Sequence, residues 1–126
     1  MGAFQIPVIW KRTRHDRGER FILSVDDIYF LRVLGKDVHF YSASGLYQLQ
    51  SALEEWRILL EDRNFVELDR GALVNLDKIA FIYADMRQIR FRDSDDEVFC
   101  SISSTQLQRV RKLYPHIEIK NKGIFH

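Results

Sequence analysis

The chain has 126 residues, of which 46% are hydrophobic and 29% charged, and a formal net charge of +1. That length bounds it to one ordinary domain with a single sizeable core, and the composition excludes wholesale disorder. The near-neutral balance excludes a uniformly polycationic nucleic-acid binder, and no apolar run approaches the roughly 18 residues of a membrane helix. The N-terminal apolar run, Phe4 to Trp10, has no basic region ahead of it, so it is a poor signal peptide and no membrane contact is expected. The single cysteine, Cys100, lies in an apolar strand pattern. It rules out an internal disulfide, fits a reducing cytoplasm and is expected in the core rather than as a nucleophile.

Charge is distributed unevenly. Lys11, Arg12, Arg14, Arg17 and Arg20 make the first twenty residues basic. Residues 26–69 are mainly acidic, and the chain turns basic again through Arg70, Lys78, Arg87, Arg90 and Arg92, with Arg109, Arg111 and Lys112 later. Such segments can fold onto separate faces, so one basic face is compatible with the small net charge.

In chain order, Gln5 to Arg12 has strand alternation (Ile6, Val8 and Trp10 on one face), and Pro7 predicts an edge position. Arg14 to Gly18 is a polar turn, and Arg20 to Ser24 a short strand. Ile28 to Leu34 is apolar on nearly both faces. Gly35-Lys36-Asp37 is a tight turn from which Val38 to Ser42 returns, so residues 28–42 form a hairpin. After the Ser44-Gly45 turn and another short element, Leu53, Trp56, Leu59 and Leu60 recur at helical spacing, with Ser51 and Glu54 as a capping box.

The stretch from Asn64 to Ile79 is the centre of the chain. Phe65, Leu68, Leu73, Val74 and Ile79 are candidate anchors into the core. Between them Asp69-Arg70-Gly71 is a polar interruption with a glycine, the pattern of a loop held out from a packed scaffold. Then come a strand over 78–83, a turn at Asp85-Met86-Arg87, and a strand in which Ile89 and Phe91 face in while Arg90 and Arg92 face out. The acidic run Asp93 to Glu97 is an exposed turn, followed by a strand over 98–102. Ser103 or Ser104 caps a short helix with the stripe Leu107, Val110, Leu113, which Pro115 stops. Residues 120–126 form a polar tail ending in Ile124-Phe125.

These elements define a mostly β chain of seven or more short strands with two small helices, and their order disfavours a parallel nucleotide-binding sheet. The sequence contains no GxGxxG, GxxxxGK[ST], HExxH, CxxC or GxSxG motif. The four histidines share no metal-ligand spacing, and the alternate acids Asp93, Asp95 and Glu97 lack the glycine and later glutamate of a calcium loop. No enzyme activity, metal or cofactor is expected.

Several segments carry a resemblance to a known family: Asp27-Ile28-Tyr29-Phe30 with Gly35-Lys36, the helix Leu53-Glu54-Glu55-Trp56, the run Phe65 to Ile79 with Val74-Asn75-Leu76-x-Lys78-Ile79, and Ile102-Ser103-Ser104-x-x-Leu107. Over roughly residues 20–114 the chain resembles the LytTR bacterial DNA-binding domains. The resemblance implies an elongated arrangement of small antiparallel sheets that docks loops into successive major grooves of double-stranded DNA and regulates transcription. It divides the chain into an N-terminal strand and basic extension (1–19), the DNA-binding domain (20–115) and a C-terminal tail (116–126). It puts the reading positions at the turn around Lys36 and Asp37, at Asp69-Arg70-Gly71 and at Ser103-Ser104, with Arg87 as a helper.

The chain departs from that pattern where a basic residue, a histidine and a serine are usual, having Glu67, Asp69 and Gly71, and it has Ser104 where an arginine is usual. A carboxylate beside phosphates weakens binding. Two functions therefore follow: a stand-alone DNA-binding regulator, or a module of the same fold that binds a protein or small ligand. The strand Ile6 to Trp10 and the pair Ile124-Phe125 are candidate homodimer or effector contacts. A dimer could also present a pocket lined by Trp10, Phe21 or Tyr47.

Overall fold

The computed structural model describes residues 5–10, 19–50, 53–95 and 97–123, with 5–10, 19–22 and 48–50 described by backbone alone. Alternating apolar residues and glycine-containing turns produce β1 (Gln5–Trp10), β2 (Glu19–Ser24), β3 (Ile28–Leu34), β4 (Asp37–Ser42) and β5 (Gly45–Gln50). Helix α1 (Leu53–Leu59) follows, then β6 (Phe65–Asp69), β7 (Ala72–Asn75), β8 (Ile79–Tyr83), β9 (Gln88–Phe91) and β10 (Phe99–Ser101). Helix α2 (Ser104–Leu113) and β11 (Ile119–Lys120) complete the chain.

The strands form two sheets, one of seven strands in the order β2-β1-β5-β4-β3-β7-β6 and one of four in the order β10-β9-β8-β11. The fold is mostly β with two helices, as the sequence implies. The hairpins merge into one wide sheet, and β11 joins β8 in parallel, with Ile119 opposite Ile82. Residues assigned from sequence to a tail thus contribute a strand, and Ile117 is buried.

β3, apart from Arg32, and β7, apart from Asn75, are apolar on both faces because each lies between two cores. On one face Ile28, Leu31, Val38, Phe40 and Leu73 pack with Trp56 and Leu60 of the α1 region. On the other, Phe30, Ala72 and Val74 pack with Ile82, Ile89, Phe91 and Cys100 of the second sheet and with Leu107 and Val110 of α2. Offset aromatic contacts join the layers: Phe30 stacks on Tyr41 at 4.3 Å and lies 5.5 Å from Phe91, which stacks on Tyr29 at 5.3 Å.

Four expectations require correction. Pro7 is not on an edge strand: β2 is the edge and β1 lies between it and β5. Proline is tolerated there because β5 registers with β1 only at Ile9 opposite Gln48, well away from Pro7. Leu59 and Leu113 are half-exposed, because Trp56 with Leu60, and Leu107 with Val110, already fill the space beneath their helices. The central polar loop is narrower than expected: the turn is Arg70-Gly71 at the tip of the β6–β7 hairpin, and Asp69 is the last residue of β6. The Ser51 cap, the Arg14–Gly18 turn, the side chains of the N-terminal basic cluster and the Ile124-Phe125 pair lie outside the described residues. Tyr47 is buried in the α1-side core with its hydroxyl donating to Ser44, while the side chains of Trp10 and Phe21 are outside the description.

Candidate nucleic-acid interface

Three hairpin turns and the N-terminus of α2 are linked at one end of the sheets by backbone hydrogen bonds. Gly35-Lys36 is the two-residue tip of the β3–β4 hairpin, with Leu34 opposite Asp37. Gly35 adopts φ +65°, as primed hairpin turns require at this position. Asp37 is therefore a strand residue, while Lys36 is exposed at the tip. Just below it, the Val33 N–H donates to the Gly71 carbonyl at 2.9 Å, which sets this hairpin beside the Arg70-Gly71 turn.

That second turn depends on an irregularity in β6. The register with β7 shifts between Glu67 and Asp69, leaving a bulge at Leu68. The Leu68 side chain is fully buried, and its carbonyl, released from the β6–β7 ladder, accepts the Ser103 N–H at 3.1 Å. Ser103 in turn caps α2, its Oγ accepting the Gln106 N–H at 3.1 Å, so Ser104 is the exposed first residue of the helix. The Arg87 turn joins the group through its carbonyl, which accepts the Ile102 N–H at 3.0 Å. Arg87 has φ +50°, an uncommon conformation for arginine that closes the β8–β9 hairpin and leaves its side chain exposed.

Of the predicted positions, Lys36, Arg70, Gly71, Arg87, Ser103 and Ser104 are thus brought to one end of the molecule. Glu67, Asp69, Arg70, Ser103 and Gln106 line a cleft of about 290 Å³ there. Arg70 is exposed and makes no ion pair with a described residue.

Asp69 does something the sequence did not predict. Its carboxylate accepts from the Arg32 guanidinium at 3.0 Å and from the Ser101 hydroxyl at 2.5 Å. Partial burial by itself would raise its pKa. The bonds from Ser101 and Arg32, Arg32's charge and the Arg70 N–H outweigh that and hold it below the ordinary carboxylate value. The same guanidinium donates to the Arg70 carbonyl at 3.3 Å, the Ser101 hydroxyl at 3.2 Å and the Cys100 sulfur at 3.4 Å. Glu67 is likewise engaged, pairing with Arg57 of α1 at 2.6 Å.

The sequence reading missed Arg32, Arg57 and Ser101. Arg32 carried a signal: it is the one charged side chain in a strand otherwise apolar on both faces. Ser101 carried none. Asn75 is buried and satisfied by backbone, donating to the Ile28 carbonyl at 3.0 Å and accepting the Asp77 N–H at 3.1 Å, so it supports the hairpin from within.

An antiparallel sheet and a mixed sheet flanked by two helices, with hairpin tips linked to a helix N-terminus, define a loop-presenting β module. The sequence profile of the LytTr DNA-binding domain matches residues 18–114, and the chain belongs to that family. Among solved structures it is similar to a LytTr DNA-binding domain from Bacillus cereus, with a TM-score of 0.65 and 17% identity over 88% of this chain and 96% of that one. At that identity the likeness speaks for the fold. No curated protein matches the sequence.

Proposed function

We propose that this DNA-binding domain is a sequence-specific transcription regulator that docks the end bearing Lys36, Arg70, Arg87 and the start of α2 into successive major grooves. The observation that carries the reading is the fate of the two nearby acids. Asp69 and Glu67 are each held by an arginine of the scaffold, so neither opposes Arg70. Arg70 sits at a hairpin tip, where a guanidinium can reach the O6 and N7 of a guanine, the commonest specific contact in the major groove. Lys36 and Arg87 flank it as phosphate contacts, and the open first turn of α2 offers backbone N–H groups to a phosphate. Regulation would come from the abundance of the chain, self-association or a partner.

The competing module that binds protein or small ligand rested on Asp69, Glu67 and Ser104; the pairing of the two acids weakens that support, and Ser104 stands at the exposed start of α2. Anisotropy of a labelled mixed-sequence duplex separates the two. Binding should weaken steeply with salt, by about 0.9 in log–log slope for each phosphate contact, and Arg70→Ala should weaken it further. A flat signal with high-micromolar protein at low salt refutes DNA binding.

A further inference from the structure

We infer that Arg32 is a positioning residue for DNA recognition and that Asp69 is its internal counter-ion rather than a DNA contact. This rests on the DNA-binding reading above and assigns the part that sets its specificity. Within its own hairpin the Arg70 turn is closed by the single Asp69–Ala72 pair beyond the Leu68 bulge, and the Val33 N–H holds the Gly71 carbonyl beside β3. A bridge between the two sheets adds a side-chain anchor to that frame. From β3, the Arg32 guanidinium reaches the Asp69 carboxylate and the Arg70 carbonyl on one side, and the Ser101 hydroxyl and Cys100 sulfur of β10 on the other. Ser101 closes the triangle by donating to the same Asp69 oxygen. Both charged partners are about four-fifths covered, at 23% and 22% side-chain exposure, so water competes poorly for these bonds.

The clamp therefore sets where the Arg70 side chain begins, relative to β10 and the α2 N-terminus that follows it. A guanidinium reads guanine bidentately only if it arrives in the right place and orientation, and a displacement of about 1 Å is enough to spoil such a contact. An acid that looks like an obstacle to DNA in the sequence becomes, in the fold, the anchor of the reading arginine.

The test uses the full chain. A preferred duplex is selected by the wild-type protein from a randomised pool, and affinities for it and for a mixed-sequence duplex are compared. Asp69→Asn removes a negative charge, and Arg32→Lys keeps the positive charge while losing the planar fork. Both should lower the ratio of preferred to mixed affinity by about tenfold, the scale of one lost bidentate contact. Partial unfolding reduces both affinities equally and leaves the ratio unchanged, so poor folding cannot mimic the effect. A simple charge obstacle at Asp69 would tighten both duplexes together, and that result, or an unchanged ratio in both variants, overturns the inference. Failure of the wild-type chain to enrich any sequence overturns it together with the proposed function, whereas enrichment with insensitive variants overturns the clamp alone.

Discussion

Replacing Asn75 by alanine separates a residue that supports the reading hairpin from one that touches DNA. Asn75 is 4% exposed at the end of β7. Its side-chain amide donates to the carbonyl of Ile28, a residue with no exposure, and its oxygen caps the short 3-10 turn over Leu76–Lys78 through the Asp77 N–H. Alanine removes both bonds without bringing a replacement. The Ile28 carbonyl left without its donor costs about 1–3 kcal/mol, and loss of the cap costs about 1 kcal/mol. The expected loss is therefore about 2–4 kcal/mol, or roughly 8–16 °C in melting temperature at about 4 °C per kcal/mol for a chain of this size.

Urea unfolding followed by tryptophan fluorescence measures it, since Trp56 packs edge-on against Phe40 at 5.3 Å and reports on the core. The midpoint should fall with an unchanged slope. Below the transition, the salt dependence of DNA binding should match that of the wild type. Asn75→Asp keeps the acceptor for Asp77 but sets an oxygen against the Ile28 carbonyl, so it should be at least as damaging as alanine. A loss below about 1 kcal/mol for alanine, or normal stability with a reduced salt slope, would refute the supporting role and put Asn75 on the DNA.

Four further outcomes are expected. Gly71 adopts φ +75° with open space where a Cβ would stand, so Gly71→Ala should cost only the conformational penalty of about 1–2 kcal/mol, measurable in the same urea assay, and should weaken preferred-duplex binding more than mixed-duplex binding. Trp56→Ala should destabilise by about 3–5 kcal/mol, because it removes the ring that closes the α1-side core; a loss below 1 kcal/mol would refute that packing. The folded-state pKa of Asp69 is depressed, so its contribution to stability is present above the unfolded value near 3.8 and is lost as pH falls below it. Wild type should therefore lose stability towards pH 3 more steeply than Asp69→Asn in parallel urea titrations. Burial pushes the Cys100 thiol up to about 11 against a smaller opposing effect of Arg32, so the native chain should resist alkylation at pH 8 and react only once denatured.

Much of this was legible in the sequence because the signals were local. Period-two alternation located β1 and β9, apolar runs between turn signals located β3, β4 and β8, helical spacing located α1 and α2, and the turn expected at Gly35-Lys36-Asp37 falls at Gly35-Lys36. The anchors Phe65, Leu68, Leu73, Val74 and Ile79 are all buried as expected. Two errors came from pairing. Pro7 was assigned to an edge because a missing N–H was weighed without knowing that β5 meets β1 elsewhere. Asp69 was read as part of a projecting loop with Arg70 and Gly71 because β7, buried on both faces, shows no alternation that would have revealed the Asp69–Ala72 pairing.

The residue chemistry of the candidate site followed from sequence alone: a guanidinium beside a glycine at a turn, a lysine at a hairpin tip and a serine ahead of a helix. Backbone geometry at glycines and caps depends on neighbours a few positions away, which is why those features could be placed. Tertiary structure decided which charges pair. Asp69 lies next to Arg70 in sequence, which suggested an acid spoiling a basic face. In the fold it belongs to Arg32 and Ser101, 37 and 32 residues away. Charges interact through distance in space, and the pairing of β3 with β7 and the approach of β10 to the turn set those distances.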